Sequence, residues 1–305
     1  MKKLIFPAIL LLFVGIELYF IDDITLYVAK LLNNHPDLII APKNEYAKDY
    51  DFLYVQQSKD YVPYSYGDIK NIFFSIINNG WDEFTFYCPE EYANCIKDVQ
   101  SISNDATIIT NINNYAHPYN SFITINTSYS DSGEVNVSLN KLYSDEKIKE
   151  INKKVDEIIK NNIQSNMSTK DKIKTIHDYI INNVSYDIVR NEKGDSQYES
   201  NTAYGTLFQK KAICSGYADT MAIFLSKFGI ENYKIASETH VWNAVKMDNK
   251  WYHLDLTWDD PVSDYNDILD HKYFLINNQE LKENDSEDME EHIFDPTVYI
   301  EFKNN

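Results

Sequence analysis

"QKKAICSGYADTMAIFLSKFG", residues 209–229, sets a cysteine at the mouth of a helix. Tyr217, Ala218, Met221, Ala222, Leu225 and Phe228 recur at helical spacing, and Gly229 supplies a stop. Cys214 falls in the first turn, where the partial positive charge of a helix N-terminus favours thiolate over thiol. Lys210 and Lys211 add to that field if they point toward the sulfur, and the small Gly216 and Ala218 leave its approach uncrowded. Alone, such a cysteine reads equally as an inert buried thiol. The downstream sequence decides between the two.

"HVWNAVKM", residues 240–247, and "KWYHLDLTW", residues 250–258, are apolar-rich strands joined by Asp248-Asn249, residue types that favour a two-residue hairpin turn. That turn sets Met247 opposite Lys250, Ala244 opposite His253, Trp242 opposite Asp255 and His240 opposite Thr257. Asp255 is then the diagonal neighbour of His240 on one face, about 7–8 Å away at the backbone. A slip of one residue would send the two to opposite faces. Asp255 can fix the tautomer of His240 through one ring nitrogen while the other pairs with the Cys214 sulfur. The thiolate attacks an amide carbonyl, and the protonated imidazole gives its proton to the departing amine. The structural alternatives are a strand histidine satisfied by any polar neighbour and an ordinary strand-end carboxylate. His253 is a rival base, and a metal site of His240, His253 and Asp255 lacks the compact ligand spacing of zinc proteins.

The rest of the chain bounds these readings. With 305 residues, 44% hydrophobic, it can bury a large core, and a net charge of −19 argues against a nucleic-acid partner. Lys2 and Lys3 followed by an apolar run over residues 4–16 read as an export signal or membrane anchor over 1–21, and no small-x-small cleavage site follows. Residues 22–44 read as a linker. Residues 45–142 form a small α+β domain: a strand in "DFLYVQ", a helix in "YGDIKNIFFSIINNG", a strand in "EFTFYCP", a helix in "EEYANCIKDVQSIS", then a hairpin turning at Asp131-Ser132-Gly133. Residues 144–305 form the second domain. It opens with a helix capped by Ser144, with Ile148, Ile151, Val155, Ile158 and Ile159 on one face, and a second helix capped by Ser168 or Thr169 that carries a structural His177. "DIVRNEKGDSQYESN" reads as a polar loop, and an acidic region ends the chain. Of three cysteines, Cys88 and Cys95 read as separate buried thiols, a bridge being the alternative, and Cys214 is left over either way.

"AYGTLFQKKAICSGYADTMAIFLSKFGI", "THVWNAVKMDNKWYHLDLTWDDP" and "HKYFLINNQEL" together resemble the transglutaminase-like superfamily, especially its bacterial exported members, over roughly residues 165–280. The resemblance implies an α+β fold with a papain-like core, the cysteine helix packed on an antiparallel sheet. It implies a nucleophile at Cys214, a base at His240 and an aspartate at Asp255. The expected activity is thiol-dependent acyl transfer or hydrolysis at amide bonds of protein or peptide substrates, cell-wall-associated ones included. A cysteine peptidase with the same triad and a non-catalytic cell-surface binding module are the alternatives. The oxyanion needs the backbone N–H of Cys214 and a second donor, for which Tyr204 and Gln209 are candidates. Trp242 is expected to wall the cleft, with Trp258 and Pro261 supporting the strand end. No cofactor or metal is expected: Asp259, Asp260, Asp264, Asp267 and Asp270 do not have EF-hand spacing and read as a solvated acidic loop. The expected location is extracellular or at the cell surface, with a membrane tether if the signal is not cleaved.

Overall fold

A computed structural model describes residues 38–130, 132–260, 269–285 and 291–303, together with Val28. The segment expected to be an export signal or anchor, most of the expected linker, Asp131, Pro261, Asp264 and Asp267 lie outside the described residues. No helix among the described residues is long and apolar enough to cross a membrane.

Among the described residues, three sheets organise a mixed helix-and-sheet fold. Strands β1 (Glu83–Tyr87), β2 (Phe122–Tyr129) and β3 (Glu134–Lys141) form an antiparallel sheet in the order β1-β3-β2. The short strands β4 (Ser185–Tyr186) and β5 (Lys211–Ala212) pair in parallel. Strands β6 (Asn232–Ala236), β7 (Val241–Met247), β8 (Lys250–Leu254) and β9 (Phe274–Ile276) form an antiparallel sheet in sequential order. The β7–β8 register is the expected one, with Met247 opposite Lys250 and Ala244 opposite His253. Asp248 and Asn249 take φ values of 52° and 60°, the left-handed backbone that a tight hairpin turn demands and that Asn and Asp tolerate. Pairing stops at Asn243 opposite Leu254, so His240 and Asp255 sit just beyond the strand ends.

The four-stranded sheet is covered on both faces. One face packs on the cysteine helix, Cys214–Lys227, and on helices Asp145–Asn162 and Thr169–Asn183, through Val245, Leu254, Met221 and Phe224. The other presents Tyr233, Ile235, Trp242 and Ala244 to Phe52, Phe73 and Tyr115 from the first half of the chain and to Val298, Tyr299 and Phe302 from its end. The core of the 45–142 unit is therefore continuous with the sheet that carries His240.

Two buried ties set the cysteine helix on this sheet. Asp219 accepts from Lys234 Nζ at 2.6 Å and from Tyr143 Oη at 2.8 Å, and Asn243 Nδ2 donates to Ala218 O at 2.9 Å. Gly216 is needed for a third contact. A Cβ there would lie 2.2 Å from Ser200 O, so this glycine seats the helix against residues 200–206. Its smallness serves this close packing, and Ala218 beside it is buried.

Several local expectations differ. "DFLYVQ" is not a strand: Phe52 N bonds Val55 O in a turn that buries both side chains, and Asn71 Oδ1 takes the Gln56 N–H. The helix expected from Glu90 begins at Cys95, and a further helix, Ala106–Asn114, follows it. The polar loop contains a short helix, Ile188–Lys193. Cys88 and Cys95 are bridged, with Cα atoms 5.6 Å apart, because the end of β1 and the start of that helix bring them together. Replacing Asp219 with Ala strips Lys234 of its buried partner. The expected loss is about 3–5 kcal/mol of unfolding free energy, read from urea denaturation. A loss under about 1 kcal/mol would show that water serves the ammonium instead.

Candidate active site

The cysteine helix starts abruptly. Ile213 precedes it in an extended conformation, tied by its N–H to Ser200 O, and no side chain caps the helix. Cys214 is its first residue, half-buried and free. The two lysines before it are engaged with other partners: Lys210 Nζ lies over the Tyr179 ring, and Lys211 Nζ bonds Ser185 Oγ. The positive field at Cys214 thus comes from the helix end and from His240.

His240 is held by its backbone before its ring makes any contact. Its N–H donates to Ser237 Oγ at 3.0 Å, and its carbonyl accepts from Ser237 N at 2.9 Å. The ring is stacked on Trp242 at 5.7 Å between centroids and 13° between planes; Trp242, expected to wall the cleft, is 1% exposed and packs behind the histidine instead. Nε2 lies 2.5 Å from Asp255 Oδ2, and Cys214 is the ring's other side-chain partner. With Nε2 committed to the carboxylate, Nδ1 is the nitrogen left for sulfur. Burial disfavours the imidazolium, but the Asp255 charge and the Cys214 sulfur outweigh it and raise the His240 pKa to about 10.

Asp255 is 2% exposed and fully paired. Its Oδ1 accepts from Thr257 N at 2.8 Å and Trp258 N at 3.3 Å, the local bonding with which an aspartate closes a turn. Its Oδ2 accepts from His240 Nε2 and, at 3.0 Å, from His292 Nε2. Burial opposes its charge, yet the two imidazoles hold it well below the usual carboxylate range.

The rival base is excluded from this geometry. His253 is fully buried, its Nδ1 accepting from Trp242 Nε1 at 3.0 Å and its Nε2 lying 2.7 Å from Asn278 Oδ1. Burial pushes its pKa down to about 3, which leaves a neutral ring with both nitrogens used. Gln209 Oε1 takes the Glu199 N–H at 2.7 Å, and Tyr204 stacks on Phe208. Neither bonds Cys214. Two residues that sequence reasoning missed do reach the site. His292, far along the chain, closes on Asp255, and Tyr186 on β4 is pushed up to about 12 by burial and then by the nearby charges of Cys214, Glu291 and Asp255.

Imidazole and carboxylate atoms that could surround an ion converge twice, in His240, Asp255 and His292 and in His177, Asp178 and His271. In both, N–H groups already face the carboxylate oxygens. In the second, Lys174 Nζ also reaches Asp178 Oδ2 at 2.6 Å, so an ammonium supplies the positive charge. His177 is structural, as expected: its Nδ1 and Nε2 face Asp178 and Asp259 at 3.0 and 3.1 Å. Asp259 is fully buried, with Oδ1 on Tyr273 N, and does not belong to a solvated loop.

A sequence profile described as the transglutaminase-like superfamily matches residues 156–256, the span that carries Cys214, His240 and Asp255, in agreement with the resemblance of their motifs. No curated protein matches the chain. Among solved structures, one described as a TGase aligns at 16% identity over 47% of this chain and 46% of its own, with a TM-score of 0.35. A protein from Cytophaga hutchinsonii, provisionally described as a cysteine protease, aligns at 14% identity over 44% of this chain and 62% of its own, with a TM-score of 0.28. The chain thus spans about half the length of the first and under two thirds of the second.

The raised pKa of His240 links folding to pH. The protonated ring is favoured by the fold, so its contribution is complete below the unfolded value near 6.5 and is lost as pH rises through about 10. Urea midpoints measured across that window are expected to fall more steeply in the wild type than in His240→Ala. Parallel curves would show that the ring titrates as a free histidine.

Proposed function

We propose that this chain, matched over residues 156–256 by the transglutaminase-like profile, is a thiol-dependent enzyme that cleaves or exchanges amide bonds of protein or peptide substrates. The observation that carries the reading is His240 held on Asp255, with Cys214 close enough to the ring to favour its protonated form and set at an uncapped helix N-terminus. Cys214 is the nucleophile. Its thiolate forms a C–S bond with the amide carbonyl carbon while the carbonyl oxygen takes up negative charge. The backbone N–H of Cys214 stands at the helix mouth, where no side chain caps it, and is suited to receive that charge. As the C–N bond breaks, the His240 proton passes to the leaving nitrogen, giving ammonia or an amine and a thioester on Cys214. Asp255 keeps the ring oriented and its charge balanced throughout.

The thioester is resolved by water, giving deamidation or peptide cleavage, or by a primary amine, giving a cross-link. The residues named are common to both outcomes. A working site outside the cytoplasmic membrane is part of the proposal. The Cys88–Cys95 bridge supports it, since disulfides persist in oxidising compartments, and so does the basic-then-apolar start of the sequence.

The test is to incubate the protein with a library of glutamine-containing peptides, with and without a primary amine, and to follow ammonia, cleavage and amine incorporation by mass spectrometry. Cys214→Ala is expected to abolish turnover. His240→Ala should lower it by about 10²–10⁴-fold, the usual worth of a general acid–base. Turnover that survives loss of the thiol would sink the proposal. An inert wild type whose thiol also shows no enhanced reactivity would favour a binding cleft.

A further inference from the structure

His292 lies outside the span matched by the family profile, in the acidic end of the chain, yet it is 4% exposed and touches the centre of the site. Its Nε2 is 3.0 Å from Asp255 Oδ2, the oxygen that also serves His240, and its Nδ1 is 2.8 Å from Asp285 Oδ1. A carboxylate only accepts hydrogen bonds. With both carboxylates ionised, both contacts are hydrogen bonds only when both ring nitrogens carry hydrogen. We propose that His292, clamped between Asp255 and Asp285, is a positioning residue that sets a cationic ring behind the triad aspartate and thereby fixes the pH window in which Cys214 is a competent nucleophile. The proposal rests on the Cys214–His240–Asp255 reading and extends it to a five-residue chain.

The surroundings favour a charge that is shielded but not cancelled. Facing the ring are Asp255 and Asp285, the His240 ring with centroids 5.4 Å away, and Trp242, Trp258 and Tyr273 at 5.1, 5.7 and 5.0 Å. Tyr273 Oη donates to Asp285 Oδ1 at 3.2 Å, and Glu291, the preceding residue, accepts from Trp258 Nε1. His253 stands within reach of the charge, which helps keep that ring neutral. Lys282 and Lys303 line the same pocket as His292 and Asp285, and among the described residues no lysine or arginine bonds the His292 ring or either carboxylate.

Two consequences follow for catalysis. With His240, His292 and two backbone N–H groups on its oxygens, Asp255 has no spare acceptor and one orientation, which aims the base. The cation also opposes retention of the proton on His240, bringing an imidazolium that Asp255 alone would hold too tightly closer to the strength a general acid needs. The link to the Cys214 sulfur runs through Asp255 and His240, the ring that faces the thiol.

The experiment is the rate of Cys214 alkylation by iodoacetamide from about pH 4 to about pH 11 for the wild type, His240→Ala, His292→Gln and Asp285→Asn, with thermal melts to show that each is folded. Gln can keep a hydrogen bond to Asp255 but carries no charge. Asn at 285 can donate to His292 and so relieves the ring of its second hydrogen. In His292→Gln the acid limb of the profile is expected to move up by about one pH unit, a tenfold loss of rate on that limb, and in Asp285→Asn by a smaller amount in the same direction. A structural role alone would lower the melting temperature and leave the midpoint of the limb in place. An unmoved midpoint in folded His292→Gln overturns the proposal, and should that variant not fold, an unmoved midpoint in Asp285→Asn does so. If the wild type has no acid limb below the free-thiol range, or His240→Ala leaves the limb where it was, the triad reading itself fails and the proposal falls with it.

Discussion

A single buried carboxylate organises the site. Asp255 collects four hydrogen bonds, two from the backbone of its own turn and two from imidazoles that lie 15 residues before and 37 residues after it. An unpaired charge at 2% exposure would cost several kcal/mol, so these partners are a condition for burying the group at all. Each partner fixes something larger. The backbone bonds end β8 at Leu254, His240 fixes where β7 begins, and His292 draws the last part of the chain across the sheet end.

The sulfur is placed by different means. Its helix is anchored to the sheet through the Asp219–Lys234 pair and the Asn243–Ala218 bond, and to residues 200–206 through the close approach that only glycine permits at position 216. These ties act on the first two turns of the helix, just behind Cys214, and no side chain caps its N-terminus. The core behind β6 and β7 is shared with Phe52, Phe73 and Tyr115, so the first half of the chain supports the strand that presents His240. Its contribution to the site is rigidity, transmitted through packed aromatic rings.

What the sequence disclosed was local or periodic. The cysteine helix was legible from apolar spacing and Gly229, and the hairpin register from Asp248-Asn249, because residues that accept positive φ specify the turn and the turn specifies every pair behind it. His292 and Asp285 were not legible: the bond that brings His292 to Asp255 spans 37 residues, and nothing periodic marks the tail. "DFLYVQ" misled because its apolar run is folded into a turn that buries Phe52 and Val55, with the Asn71 side chain meeting a backbone N–H that a sheet would have paired. The packing role of Gly216 was not legible, since the backbone that fills the space beside it, at Ser200, belongs to a different part of the chain. The Cys88–Cys95 bridge depends on how β1 leads into the following helix, and a spacing of seven residues does not determine that.

The central claim is that His240 is held as an imidazolium by Asp255 and Cys214 together. The most direct measurement is the ¹⁵N chemical shift of its ring nitrogens by NMR, titrated in the wild type and in Cys214→Ala. The geometry predicts a doubly protonated ring through neutral pH that loses its proton near pH 10 in the wild type, and at lower pH once the sulfur is gone. A ring that titrates near 6.5 in both proteins, as an unperturbed histidine does, would contradict it.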